Sequence, residues 1–128
     1  MIVVDASALV EVLLQTPRAA AVERCLRGRE LVAPDALDVE VLHALRGVER
    51  GGKATAPQVS RAITLLGQLP VDRVAVGSLH QEVWALRHAL SMYDAAYVAV
   101  AQILGCALLT LDRRLAAGAP AGVPGTVV

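Results

Sequence analysis

The feature that most constrains this chain is a short apolar segment at its start that ends in an acid. Ile2, Val3 and Val4 favour a β-strand without polar alternation, the pattern of a strand buried on both faces. Asp5 follows directly and precedes a second apolar segment. A carboxylate beside an apolar core needs a partner, and ligands bind at the carboxyl ends of strands in open α/β sheets. Asp5 is therefore either a helix N-cap or the first member of a polar site.

A second apolar segment repeats this arrangement near the end of the chain. The mostly apolar residues 107–111 predict a buried strand, and Asp112 follows them directly. In a parallel sheet both strands end on the same edge, so Asp5 and Asp112 are expected to face one cleft. Each acid taken alone is also explained as a cap or turn residue, so both interpretations stay open at this point.

Helices and strands alternate between these two segments. Helices are predicted for residues 8–14, 17–28, 34–51, 55–69, 78–90 and 91–104, and further strands for 31–33, 71–76 and 126–128. Ser78 with Gln81 predicts a capping box, Ile63 is expected to point inward, and a Gly- and Pro-rich loop is expected after Asp112. The pattern predicts an α/β fold, a three-layer α/β/α sandwich with a central, mostly parallel sheet of about five short strands.

Composition limits the class of protein. The chain has 128 residues, enough for one domain, and 55% of them are apolar, yet it has no Phe. Charged residues interrupt every long apolar run, so no membrane span is expected, and no signal peptide is expected before the first strand. Cys25 and Cys106 are expected to be small buried thiols of a cytoplasmic protein. The zero net charge argues against nucleic-acid binding through global electrostatics but leaves room for a local basic patch.

Two further acids stand out among the predicted helices. Glu40 lies at the rim of an apolar helical stripe, where a surface role and a site role are equally reasonable. Asp94 is the third residue after Ser91, as in a capping box, and a helix N-terminus also attracts anions such as phosphate.

These motifs together resemble the PIN-domain ribonucleases, and within them the VapC toxins of bacterial toxin–antitoxin pairs. The resemblance covers the whole chain, 1–128, as a single PIN domain. Its motifs are Asp5-Ala6-Ser7, Glu40 early in a helix, Tyr93-Asp94-Ala95-Ala96-Tyr97, and Thr110-Leu111-Asp112-Arg113-Arg114. It implies that the family's four catalytic acids are Asp5, Glu40, Asp94 and Asp112, with supporting hydroxyls on Ser7 and Thr110. It also implies an RNA substrate, a VapB-type antitoxin partner and a homodimer. Arg113 and Arg114 replace acids that some PIN proteins carry there.

Four converging carboxylates have a chemical consequence. Within roughly 6 Å of one another, each pair would repel by about 3 kcal/mol at an effective dielectric near 20, so protons or a divalent cation are needed. An oxygen-only ligand set selects Mg²⁺ or Mn²⁺. Asp5 and Asp94 are predicted as the most direct metal ligands, Glu40 and Asp112 as ligands directly or through water, and Ser7 and Thr110 as orienting hydroxyls. A protein with such a metal site would be a metal-dependent endoribonuclease with water as nucleophile.

Other interpretations of the charged residues remain. His43, His80 and His88 could support metal-free acid–base cleavage, but surface or interface roles are favoured because they fall on separate helices or faces. Arg113 and Arg114 could hold phosphates, and a basic path could continue through Arg46, Arg50 and Lys53.

Two other classes of protein are alternatives to a nuclease. One is a PIN-like binding scaffold whose acids serve only as caps. The other is a phosphoacceptor receiver domain, which needs a lysine after a late strand, whereas Lys53, the only lysine, falls at a helix end.

Overall fold

The fold follows from apolar strands connected by helices that cover them. A computed structural model describes residues 1–123 and the backbone of residues 125–127. The described strands are β1 (Ile2–Val4), β2 (Leu31–Pro34), β3 (Val71–Val74), β4 (Ala107–Thr110) and β5 (Gly125–Val127). The described α-helices are α1 (Ala6–Leu13), α2 (Ala19–Leu26), α3 (Leu37–Arg50), α4 (Ala56–Gln68), α5 (His80–Ala85), α6 (Met92–Leu104) and α7 (Arg113–Gly118).

The described strands form one five-stranded parallel sheet in the order β3-β2-β1-β4-β5. The first strand, β1, is central, which explains why all three of its residues are apolar and buried. Val4 pairs with Leu109, so β1 and β4 are neighbours and end at the same edge of the sheet. The expected shared edge is therefore confirmed. The strand predicted over 71–76 lies at the outside of the sheet, as expected, but ends at Val74.

The helices divide into two groups by their contacts, as expected for the α/β/α sandwich. Helix α1 packs against α2, α3 and α4, whereas α6 packs against α5 and against strands β1, β2 and β4. The middle of α6, residues 95–101, is buried on every side, and its alanines permit close approach to the sheet. Gly105 ends this helix with a φ of 61°, a left-handed conformation that glycine adopts without steric cost. Within the described residues, no helix is long and apolar enough to cross a membrane.

Three local predictions are wrong. The Ser78 hydroxyl donates to the Ala75 carbonyl inside a short 3₁₀ turn, so it does not cap a helix, and α5 begins only at His80. Ile63 is 45% exposed because α4 instead buries the stripe of Val59, Ala62 and Leu66.

The third correction concerns the segment after Asp112, where α7 forms in place of the expected loop. Asp112 caps this helix and Leu115 anchors it in the core. Gly118 ends α7 against Leu90. A Cβ atom at this position would lie 2.4 Å from a methyl carbon of Leu90, so a larger residue would force the Leu90 side chain to move. The last predicted strand is found as β5, and the predicted end at Val128 lies outside the described residues.

Candidate active site

Asp5 lies at the carboxyl end of β1 and is 4% exposed. Its Oδ1 accepts hydrogen bonds from the Ser7 hydroxyl at 2.6 Å and from the backbone amides of Ser7 and Ala8, so it is the N-cap of α1. Burial raises the pKa of the Asp5 carboxyl, while the hydrogen bonds from Ser7, Thr110 and Ala8 act in the opposite direction. Burying the Asp5 carboxylate beside other acids costs more free energy than capping a helix at the surface would. This extra cost indicates that Asp5 has a second role.

Two hydroxyls join the end of β1 to the end of β4. Thr110, which is 0% exposed, donates to Asp5 Oδ2 and accepts from the Asp112 amide at 2.9 Å. The Ser7 hydroxyl accepts from the Leu111 amide at 2.9 Å and lies 3.4 Å from the Thr110 hydroxyl. These bonds orient the Asp5 carboxylate and hold the backbone that carries Asp112. We call Ser7 and Thr110 the hydroxyl bridge.

Asp112 follows β4 and caps α7. Its Oδ1 accepts from the amides of Arg114 at 2.8 Å and Leu115 at 3.4 Å. Its side chain is half-buried, and none of the described residues donates a hydrogen bond to Oδ2. That second oxygen is therefore available to a ligand while the first holds the helix.

Glu40 reaches the same region from α3. Its half-buried carboxylate accepts a hydrogen bond from the Tyr97 hydroxyl of α6. Burial raises the pKa of Glu40, the Tyr97 hydrogen bond lowers it, and the negative charges of Asp5 and Asp94 raise it further. Glu40 therefore belongs with the sheet-edge acids and not with the solvated face of α3.

Tyr97 has a role that the sequence interpretation did not assign. It is 1% exposed, and burial together with its bond to Glu40 raises its pKa above the ordinary value. The available signal was a phenol in a stretch of alanine and valine, because a buried tyrosine hydroxyl needs a polar partner. Its partner could not be identified without the packing of α6 beside α3.

Asp94 lies in the first turn of α6. The Ser91 hydroxyl accepts from the Asp94 amide at 3.2 Å, so Ser91 is the N-cap as predicted. Burial raises the pKa of the Asp94 side chain, and the charges of Asp112 and Asp5 raise it further, whereas Ser91 lowers it. The carboxylate is therefore close to the other acids at the edge of the sheet.

The four acids form one electrostatic cluster, which we call the acid cluster: Asp5, Glu40, Asp94 and Asp112. The negative charges of Asp5 and Asp94 raise the pKa of Glu40, and those of Asp112 and Asp5 raise the pKa of Asp94. In residues 1–123, however, no three His, Cys, Asp or Glu side chains are grouped as a set that could hold a metal ion. The donor chemistry still suits Mg²⁺ or Mn²⁺, since Mg²⁺ usually takes one or two carboxylates and keeps several waters.

The histidines and the basic residues singled out in the sequence are at the surface. His43, His80 and His88 are exposed, in agreement with their predicted surface roles. Arg113 and Arg114 are exposed in the first turn of α7, directly after Asp112. The predicted basic path of Arg46, Arg50 and Lys53 is also exposed.

Lys53 and the cysteines bear on two further expectations. Lys53 lies in the turn after α3, so it does not occupy the strand-end position that a receiver domain requires. Cys25 and Cys106 are free thiols that are half-buried, where full burial was expected.

A cleft of about 560 Å³ opens beside the acid cluster. It shares Ser7 and Glu40 with the site and is otherwise lined by Ala6, Val39, His43, Ala44 and Tyr93. We call it the side cleft. Its position gives a ligand at the acid cluster room to extend along α3.

The sequence matches a family model of the PIN domain over residues 2–119. The chain belongs to the PIN-domain family. Ribonuclease VapC3 of Mycobacterium tuberculosis is 42% identical over 120 residues, which span 93% of this chain and 88% of that protein. VapC ribonuclease Mb0985 of Mycobacterium bovis is 38% identical over 128 residues, 100% of this chain and 98% of that protein. The resemblance to VapC proteins is therefore confirmed.

The fold of this PIN domain also agrees with a solved VapC structure. The crystal structure of Mycobacterium tuberculosis VapC20, described as a sarcin-ricin loop cleaving toxin, superposes with a TM-score of 0.68. The match covers 97% of this chain and 99% of that one at 18% identity, so it supports the fold alone. The predicted three-layer α/β fold is thus confirmed.

Proposed function

We propose that this PIN domain is a Mg²⁺- or Mn²⁺-dependent endoribonuclease, the toxin of a VapBC-type toxin–antitoxin system in the cytoplasm. The observation that carries the proposal is the acid cluster, in which burial and neighbouring negative charge raise the pKa of Asp94 and Glu40. A folded protein that keeps such a cluster needs either protons or a compensating cation, and a divalent cation is the one that supports phosphodiester cleavage. The ribonuclease names of the VapC relatives support RNA as substrate.

Each acid has a proposed part in this reaction. Asp5 and Asp94 are the most direct metal ligands, and Glu40 and Asp112 complete the shell directly or through water. When bound, such an ion lowers the pKa of water and offsets charge at the attacked phosphate.

The remaining groups position the acids and the substrate. The hydroxyl bridge holds the carboxylate of Asp5 in one orientation. The hydrogen bond from Tyr97 holds the carboxylate of Glu40 and favours its ionised form, because it lowers the pKa that burial raises. Arg113 and Arg114 lie next to Asp112, where they can contact backbone phosphates of RNA.

Metal removal tests the proposal. We expect RNA cleavage in Mg²⁺ or Mn²⁺ and none in EDTA, with activity restored when excess Mg²⁺ is added back. Asp112→Asn should abolish cleavage, whereas Asp72→Asn, an exposed acid on the edge strand β3, is the matched control and should cleave normally. Full cleavage in EDTA would show that the proposed mechanism is wrong.

A VapB-type antitoxin and a second copy of this chain are the proposed protein partners. A second cleft, of about 360 Å³, is lined by Val10 of α1 and by Leu14, the C-cap of that helix, together with Pro17, Val48 and Ala54, among others. We propose this α1 cleft as part of the antitoxin site. Val22 of α2 is buried because α2 packs on α1, so it is not available to a partner.

A further inference from the structure

The side cleft has an apolar part for which the proposed hydrolysis has no use. Val39 is 71% exposed and Tyr93 is 65% exposed, although both line a concave surface. Two polar members of the wall, Ser7 and Glu40, belong to the site beside it, whereas His43 does not. Large apolar groups left open in a concave site are typical of ligand binding.

Tyr93 differs from Tyr97 although both are on α6. Tyr97 is buried and its hydroxyl is bonded to Glu40, whereas none of the described residues forms a hydrogen bond with the Tyr93 hydroxyl. The Tyr93 ring therefore does not anchor the helix. It lines the same cleft as Glu40, so a group stacked on it lies next to the acid cluster.

The charge of the cleft restricts its occupant. Glu40 is part of the wall and the other cluster acids are near, so an anionic group is disfavoured. An uncharged planar ring with polar edges fits better, because the same wall offers Tyr93 for stacking and the exposed His43 for a hydrogen bond to the edge of the ring. A volume of about 560 Å³ is ample for one such ring.

We infer that the side cleft binds one unpaired nucleobase of the RNA, next to the cleaved phosphate, with Tyr93 as the stacking surface. Bases of single-stranded RNA are commonly stacked on aromatic side chains. The inference rests on the proposed function, and it makes Tyr93 a residue that determines which single-stranded RNA is cut efficiently.

The test combines a protein change with a substrate change. Short single-stranded oligoribonucleotides carry an abasic ribose at each position around the cleavage site in turn, and kcat/KM is measured in Mg²⁺. For the unmodified protein, loss of one base beside the cleaved bond should lower kcat/KM by roughly 5- to 150-fold, the range for stacking of one base on an aromatic side chain. Tyr93→Ala should lower kcat/KM similarly on the intact RNA and be insensitive to that abasic position.

Two variants and a binding measurement serve as controls. Tyr93→Phe keeps the ring and should retain the base dependence, whereas Trp84→Ala removes an exposed aromatic residue from α5, outside the cleft, and should change nothing. The same substrates are bound to Asp112→Asn protein, with and without Tyr93→Ala, by fluorescence anisotropy.

Each outcome decides one question. If the losses in kcat/KM from Tyr93→Ala and from the abasic position multiply, the two changes act independently and the base site is overturned. Metal-dependent cleavage by the unmodified protein would in that case leave the proposed function standing. Base-dependent binding without any cleavage would support the site and overturn the nuclease. If Tyr93→Ala separates a dimer and high protein concentration restores its activity, the cleft is a contact between copies and the inference is wrong.

Discussion

Single acids in this protein have two functions at once. Asp5 and Asp112 are helix N-caps, which is the simplest interpretation of an acid after a strand, and they are also members of the acid cluster. Capping uses Oδ1 of each carboxylate. Because a carboxylate has two oxygens, capping and ligand binding do not exclude each other.

Asp94→Asn distinguishes a cap from a member of a charged cluster. Because Ser91, not Asp94, supplies the observed capping oxygen, the change should cost the helix little. Relief of like-charge repulsion should then stabilise the metal-free protein, by about 1 kcal/mol at low salt after discounting for solvent. Thermal unfolding in EDTA measures this effect, and cleavage should fall by orders of magnitude.

The effect of added Mg²⁺ on stability should also differ between the unmodified protein and Asp94→Asn. An ion that binds only the folded state raises its stability, so Mg²⁺ should stabilise the unmodified protein more than Asp94→Asn. A variant that is less stable in EDTA and still cleaves RNA fully would limit Asp94 to a role in α6.

At the scale of elements, the hydroxyl bridge connects the adjacent strands β1 and β4 at the ends that Asp5 and Asp112 follow. Thr110→Val is nearly isosteric but leaves Asp5 without one donor and the Asp112 amide without its acceptor. We expect a loss of about 2 kcal/mol in the free energy of unfolding, because buried polar groups lose their partners. Chemical denaturation measures it, and cleavage should decrease strongly.

Thr110→Ser is the matched control for that change. It keeps the hydroxyl and removes only a methyl group, so its stability falls while cleavage is largely preserved. Equal cleavage by the Val and Ser variants would show that the hydroxyl does not position the acids.

The α1 cleft offers a test of partner binding. Leu14 is half-buried, whereas Val10 is buried, so Leu14 is the better of the two to change. Leu14→Asp should weaken antitoxin binding by at least about tenfold, because an apolar contact would have to bury a charge, and should leave RNA cleavage intact. Calorimetric titration with the proposed VapB-type antitoxin measures the effect. Leu104→Asp, on an exposed position of α6, is the control, and equal affinities of both variants would refute the assignment.

For the whole molecule, the acid cluster makes stability depend on pH. Burial raises the pKa of Asp5 above the ordinary value of 3.8 for Asp, and burial with like charge raises those of Asp94 and of Glu40, whose ordinary value is 4.5. The folded state therefore binds protons more readily than the unfolded state in this range. The stability from these groups is fully present below the ordinary values and is lost as pH rises through the raised ones.

The melting temperature of the metal-free protein should accordingly increase when the pH is lowered from neutral to mildly acidic. Asp94→Asn should flatten this dependence, and Asp72→Asn should preserve it. Mg²⁺ should stabilise the protein most at neutral pH, where the carboxylates are ionised. A melting temperature that rises steadily with pH in EDTA would contradict the raised pKa values.

Much of the fold could be predicted because its signals are local. Apolar strands followed by acids, with helices between them, indicate a parallel sheet with polar groups at one edge. Where local signals compete, prediction failed. Ser78 bonds to a carbonyl of its own turn, and α7 is stabilised by Asp112 at its start and by burial of Leu115, which a Gly- and Pro-rich composition conceals.

The order of residues alone indicated the family, the α/β architecture and the four acids, since each depends on neighbours in the chain. The partners of these acids come from distant segments, as in the bond from Tyr97 to Glu40 or from Thr110 to Asp5. The side cleft likewise needs α3 and α6 to meet. Such contacts depend on how the helices pack on the sheet, and packing is decided by the shape of the whole core and not by spacing along the chain.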